Sequence, residues 1–166
     1  KTSCGREESV AEHSYRLILM AYVLKDTIPD VDMDRVVEMC IVNDIGEAIT
    51  GDIPSFRKTK EDDKKEMEQV LEFIRQLPEE RYQHIKELFS EIEQKKTKEA
   101  IVFKALDKME AVIQHNEADI STWLDIEYEL QKTYGTEEAQ VCEFLKTLRN
   151  QVLKDTEEKI EKSKRE

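Results

Sequence analysis

Apolar residues recur three and four positions apart along almost the whole of this chain, and nowhere do they alternate in twos for long enough to make a strand. That regularity restricts the fold most, because side chains repeating every 3.6 residues share a buried face only on a helix. Glycine and proline, the residues that interrupt helices, number only 4 and 3 among 166. The expected fold is all-α, a single-domain bundle of six or seven helices around one core, and the chain is long enough to bury that core without staples. The domain is expected over residues 1–150, with 151–166 as a charged helix end that frays.

Local signals divide the pattern. In "SVAEHSYRLILMAYVLKD", Ser9 is placed to cap a helix whose stripe is Leu17, Met20, Ala21 and Leu24. "DMDRVVEMCIVNDIGEAI" reads as one continuous second helix, ended by Gly51 and Pro54. Pro78 opens a later helix in its first turn, and Gly135 closes another. "TKEAIVFKALDKMEAVIQHNEA" is the most apolar segment after the first helix and is expected at the centre of the bundle.

Charge excludes some partners. Charged residues make up 39% of the chain and the formal net charge is −12, which repels nucleic acid and anionic membrane, so neither is an expected partner. A phosphate-bearing ligand would need a metal ion or a few placed cations. Cys4, Cys40 and Cys142 are scattered without metal-binding spacing and read as free thiols of a cytoplasmic protein. No apolar run is long enough to span a bilayer.

Against this background, polar groups interrupt three apolar faces. His13 lies four residues before Leu17, Asp44 follows Val37, Cys40 and Ile41 at helical spacing, and Asp107 sits four after Phe103 and four before Ala111. A carboxylate seldom enters a core unless it is paired or binds a metal. Two carboxylates and a histidine on separate helices suggest one shared site. Each also has an ordinary explanation, a hydrogen-bonded core histidine or an aspartate paired with a lysine or arginine of the next helix.

The motifs "ESVAEHSYRL", "NDIGEAITGDIP" and "KALDKMEAVIQ", in this order, resemble those of the HD-domain phosphohydrolase superfamily, most closely its small bacterial and archaeal branch that includes the 5′-deoxynucleotidases. The resemblance covers about Arg6 to Asp119. It implies an all-α bundle holding one divalent metal ion (Mn, Co, Mg, Ni or Fe) through an early His, a His-Asp doublet and a late Asp, which fall here on His13, Asn43, Asp44 and Asp107. Asn43 is the departure, standing where the doublet has histidine. An amide offers only a carbonyl oxygen, a harder donor than imidazole, which suits Mg²⁺ or Mn²⁺ better than Zn²⁺. Altered metal use, weakened catalysis and a ligand-trapping substitution all accommodate it.

The same resemblance gives Glu47 the role of general acid and base, one turn beyond Asp44. It gives Arg6 contact with substrate phosphate and makes Thr50 and Asp52 of the "TGD" turn substrate contacts, Asp52 on the sugar hydroxyl. Lys108 is a further candidate to offset substrate charge. Tyr15 is expected to pack, and His115, two turns beyond Asp107, is too far along to share its ion. The expected activity is metal-dependent hydrolysis of a small phosphomonoester, a nucleoside 5′-monophosphate above all, by a homodimer. The alternatives are a catalytically weak protein that senses a nucleotide and a helical interaction module without ligand.

Overall fold

Capping chemistry sets where the helices begin. In the computed structural model, which describes residues 1–51 and 59–165, Ser9 accepts from the Glu12 amide and Glu12 reaches back to the Ser9 amide, opening α1 at Val10–Val23. Asp32 accepts from the amides of Asp34 and Arg35 to open α2, Met33–Val42. A second reciprocal cap, Thr59 with Asp62, starts α4 at Lys60–Ile74. Pro78 stands just before α5, Glu79–Gln94, and Thr97 caps α6, Lys98–Glu117. Two shorter elements complete the set, α3 at Ile45–Thr50 and α7 at Glu127–Thr133, before the long α8 at Glu143–Ser163. Two 3₁₀ turns, Ile120–Thr122 and Glu138–Val141, join the last elements. There is no strand among the described residues.

The chain is all-α, as its periodicity requires, but the second helix is not continuous. It breaks after Val42, and Asn43 and Asp44 form the joint before α3. Asn43 keeps helical dihedrals, whereas Asp44, at φ −96 and ψ 14, turns the chain. The division produces eight α-helical segments among the described residues, one more than the upper expectation. It also frees Asp44 from the strict helical register. Gly46 lies just beyond the joint, where a Cβ would stand 2.4 Å from Glu66 Cγ and would force that side chain to move. Gly51 ends α3 at φ +89, a backbone conformation that side chains disfavour.

The expected centre is correct: α6 packs against α1, α2, α5 and α8. Its Val102, Phe103, Ala105, Leu106 and Met109 are fully buried beside Leu17 and Ala21 of α1 and Val36, Met39 and Cys40 of α2. Each large side chain of this kind contributes roughly 1.5–3 kcal/mol. Residues 151–163 continue α8. The reason is an inward row, Val152, Thr156 and Ile160, with Thr156 and Asn116 of α6 hydrogen-bonded to each other at 3.0 and 3.1 Å. Tyr15 differs from expectation, 67% exposed on the outer face of α1. No helix among the described residues is long and apolar enough to cross a membrane.

Candidate metal centre

Helices α1 and α6 lie side by side, and the α2–α3 joint closes over them. This arrangement brings His13, Asp44 and Asp107 together. His13 Nε2 is 3.1 Å from Asp107 Oδ1 and 3.5 Å from Asp44 Oδ2. Asp44 is buried, and Ser14 Oγ donates to its Oδ2 at 3.2 Å. The amide nitrogen of Asn43 donates to Asp44 Oδ1. Asn43 thus meets its neighbour as a donor, with its nitrogen and not its carbonyl toward the carboxylate.

Two participants carry no obvious signal in the sequence. Glu110 is 2% exposed, and its Oε2 lies 2.5 Å from His13 Nδ1 while its Oε1 accepts from Arg16 Nε at 2.5 Å. Arg16 continues to Glu117 at 2.7 Å. Glu110 therefore fixes the imidazole from behind, the usual partner arrangement for a metal-binding histidine. Its spacing, three residues after Asp107 on the same helix face, was the available clue. The second is Lys104, whose Nζ donates to Asp107 Oδ2 at 2.7 Å. Lys108, the lysine singled out in the sequence, instead pairs with Glu138 and lies 5.1 Å over the Tyr134 ring.

Electrostatics follow from this crowding. Burial would lower the His13 pKa, but Asp107 and Glu110 on its two nitrogens outweigh that and hold it up at about 11. Burial raises Asp107, yet Lys104 and His13 bring it down to about 2. Asp44 goes the other way. Burial and the charge of Asp107 push it up to about 6 despite His13 and Ser14. Two carboxylates share a buried space in which one of them is poorly compensated.

Among the described residues, no three His, Cys, Asp or Glu side chains form a ready-made cage for a cation; here the imidazole bonds to the carboxylates directly. The donor types nevertheless fit a divalent ion. Ligands about 2.1 Å from an ion stand roughly 3.0–3.4 Å from one another, the scale of the 3.1 and 3.5 Å separations around His13. An under-compensated carboxylate pair is also what a cation relieves.

The other expected site residues are placed less closely. Glu47 is partly buried in the first turn of α3, one turn beyond Asp44. Thr50 is exposed at the end of α3, its hydroxyl donating to the Gly46 carbonyl at 3.1 Å. Arg6 is exposed and forks onto Glu12, the partner of Ser9 in the α1 cap, with one contact at 3.0 Å. Asp52 lies outside the described residues. His115 belongs to the structure of the α6 end: its Nδ1 donates to the Ala111 carbonyl, its Nε2 meets Glu127 at 3.1 Å, and its carbonyl accepts from Trp123 Nε1. The "HNEADISTW" stretch is thus a packed corner.

An all-helical bundle thus brings a half-buried histidine and two aspartates together from separate elements. A family model for the HD domain matches residues 1–149, and the chain belongs to that family. It is 38% identical over 114 residues to the human 5′-deoxynucleotidase HDDC2, an overlap of 68% of this chain and 55% of that protein. It is 31% identical over 115 residues to the 5′-deoxynucleotidase hdd1 of Schizosaccharomyces pombe, with 66% and 57% covered. The chain spans a little over half the length of these curated relatives. A crystal structure of a predicted metal-dependent phosphohydrolase from Magnetospirillum magnetotacticum MS-1 shares the fold, with a TM-score of 0.76 at 21% identity over 93% of this chain and 80% of that one.

Proposed function

We propose that this chain is a metal-dependent hydrolase of small phosphomonoesters, with nucleoside 5′-monophosphates, deoxyribonucleotides among them, as substrates. One observation carries the reading: His13, Asp44 and Asp107, distant in sequence, meet at a partly buried point in a member of a family whose matched relatives are named 5′-deoxynucleotidases. His13, Asp44 and Asp107 would hold a divalent ion, which supplies a Lewis acid for the phosphoryl oxygen and an acidified water. Glu110 holds the His13 ring so that Nε2 faces the aspartates. Glu47, one turn from Asp44, moves protons to and from the reacting oxygen atoms. Arg6 can serve the phosphate only by leaving Glu12, and Thr50 is a further substrate contact, the role that the resemblance also gives Asp52.

Asn43 favours a second reading. With its amide nitrogen turned to Asp44 and only a weaker carbonyl oxygen left to offer, the doublet supplies one strong ligand where the resemblance implies two, and the chain then binds nucleotides with weak turnover. The exposed Tyr15, Leu19, Tyr22 and Val23 on one face of α1 support action as a homodimer, and the free cysteines suit the cytoplasm.

Phosphate release from a panel of nucleoside monophosphates, with Mg²⁺, Mn²⁺, Co²⁺, Ni²⁺ or Fe²⁺, tests both readings. Release should depend on the cation, rise in Asn43→His with the nitrogen-favouring ions Co²⁺ and Ni²⁺, and vanish in Asp44→Ala. Nucleotide binding without release, repaired in Asn43→His, would support the second reading. No release and no nucleotide binding by either protein would sink both.

A further inference from the structure

Lys104 divides the two oxygens of Asp107. Its Nζ takes Oδ2 at 2.7 Å, while Oδ1 is turned to His13 Nε2 at 3.1 Å. Among the described residues, no other lysine or arginine is bonded to Asp44 or Asp107. The ammonium has three donors, of which Asp107 accounts for one. The Lys104 side chain is 25% exposed, against 13% for Asp107, so it stands on the solvent side of the pair. Charge makes the position consequential. Two aspartates cancel a divalent ion, and a dianion arriving at such a centre meets no net attraction. Lys104 adds one positive charge beside that centre, in a chain whose net charge is −12.

We propose that Lys104 binds the phosphoryl group of the substrate, a phosphomonoester dianion, through its remaining N–H donors, while its hold on Oδ2 leaves Asp107 one oxygen for a cation. This deepens the phosphohydrolase reading and rests on it. Lys104 is then a phosphate-contacting residue that neither the sequence motifs nor the spacing of the aspartates singled out.

The test titrates the parent, Lys104→Met and Lys104→Arg with Mn²⁺ by calorimetry, then titrates each Mn²⁺-loaded protein with inorganic phosphate and with a nucleoside 5′-monophosphate. Lys104→Met should weaken both phosphate ligands by about 10-fold or more, as loss of a charge-assisted hydrogen bond does, and leave Mn²⁺ affinity unchanged or tighter because a positive charge is gone. Lys104→Arg should keep phosphate binding within about threefold of the parent. In the parent alone, the Lys104 ¹⁵Nζ resonance should shift when phosphate is added, a readout that does not depend on a variant folding. Unchanged phosphate affinity in Lys104→Met, or an equal loss of Mn²⁺ and phosphate affinity, would overturn the proposal, the latter showing a residue that only positions Asp107. A parent that binds Mn²⁺ but neither phosphate nor nucleotide overturns the phosphohydrolase reading and this inference together; that result appears before any variant is made.

Discussion

The middle and the end of α6 bury polar side chains in opposite ways. Around its middle, Lys104, Asp107 and Glu110 meet His13 and Asp44, charge facing charge, and two carboxylates share the space. Toward its end, Asn116 is closed on Thr156, and nearby Arg149, 2% exposed, gives Nε to the Tyr134 carbonyl and Nη2 to the Gln131 carbonyl, each at 2.8 Å. Arg149 has no carboxylate partner among the described residues; it caps the last turn of α7 and fastens it to α8. Burial alone lowers its pKa. The second arrangement is a fastening, with partners fixed by the backbone. The first leaves Asp44 raised to about 6, a state that a fold designed only for stability would avoid. Arg149 is also a charge without a counter-charge, but its bonds run to backbone carbonyls, whereas Asp44 and Asp107 set like charges together; that contrast can be broken by mutation.

The largest effect is expected at the fastening. Arg149→Met removes two hydrogen bonds and leaves two carbonyls buried, at a cost of about 3 kcal/mol. Chemical denaturation should show that loss while the cation titration stays unchanged. An Arg149 variant of normal stability but impaired cation binding would reverse the assignment of the two regions.

Next comes Asp44→Asn in chelator. The native chain holds a proton on Asp44 up to about pH 6, and its unfolded counterpart only to about 3.8, so this group makes the protein more stable as pH falls from 6 toward 4 and less stable as it rises. Asn removes the burden. At neutral pH the variant should be more stable by roughly 2–3 kcal/mol, with the difference gone near pH 4. His13 acts with the same sign in a higher window: its contribution is complete below 6.5 and is lost as pH rises through about 11, in parent and variant alike. Melting curves across pH would show both; an Asp44→Asn protein that melts lower at every pH would make the cluster a fastening too.

The smallest effect belongs to Glu110→Gln. Weakening the hold on His13 should reduce cation affinity about 10- to 100-fold, read by calorimetry, with circular dichroism unchanged. Cation affinity equal to the parent's would remove Glu110 from the site and leave it as the partner of Arg16.

Much of this was legible in residues alone. His13, Asp44 and Asp107 stood out because each interrupts an apolar row at helical spacing, and α6 was expected at the centre because it is the most apolar segment after the first helix. Lys104 and Glu110 were not legible in the same way, since lysine and glutamate on an amphipathic helix ordinarily face water, and Lys108 carried the same credentials as Lys104. The break at Asn43-Asp44 was also hidden: the apolar spacing runs across it, and the turn is visible only once α3 and α4 have packed through Gly46.

Periodicity by itself determined that this chain is helical and which faces go inside, because burying apolar surface is a local, additive demand that each helix states in its own residues. Tertiary structure alone decided which lysine meets Asp107, which carboxylate backs His13 and that Arg149 ends on carbonyls. Those choices depend on separations of a few ångströms between elements up to a hundred residues apart, and no local pattern encodes them.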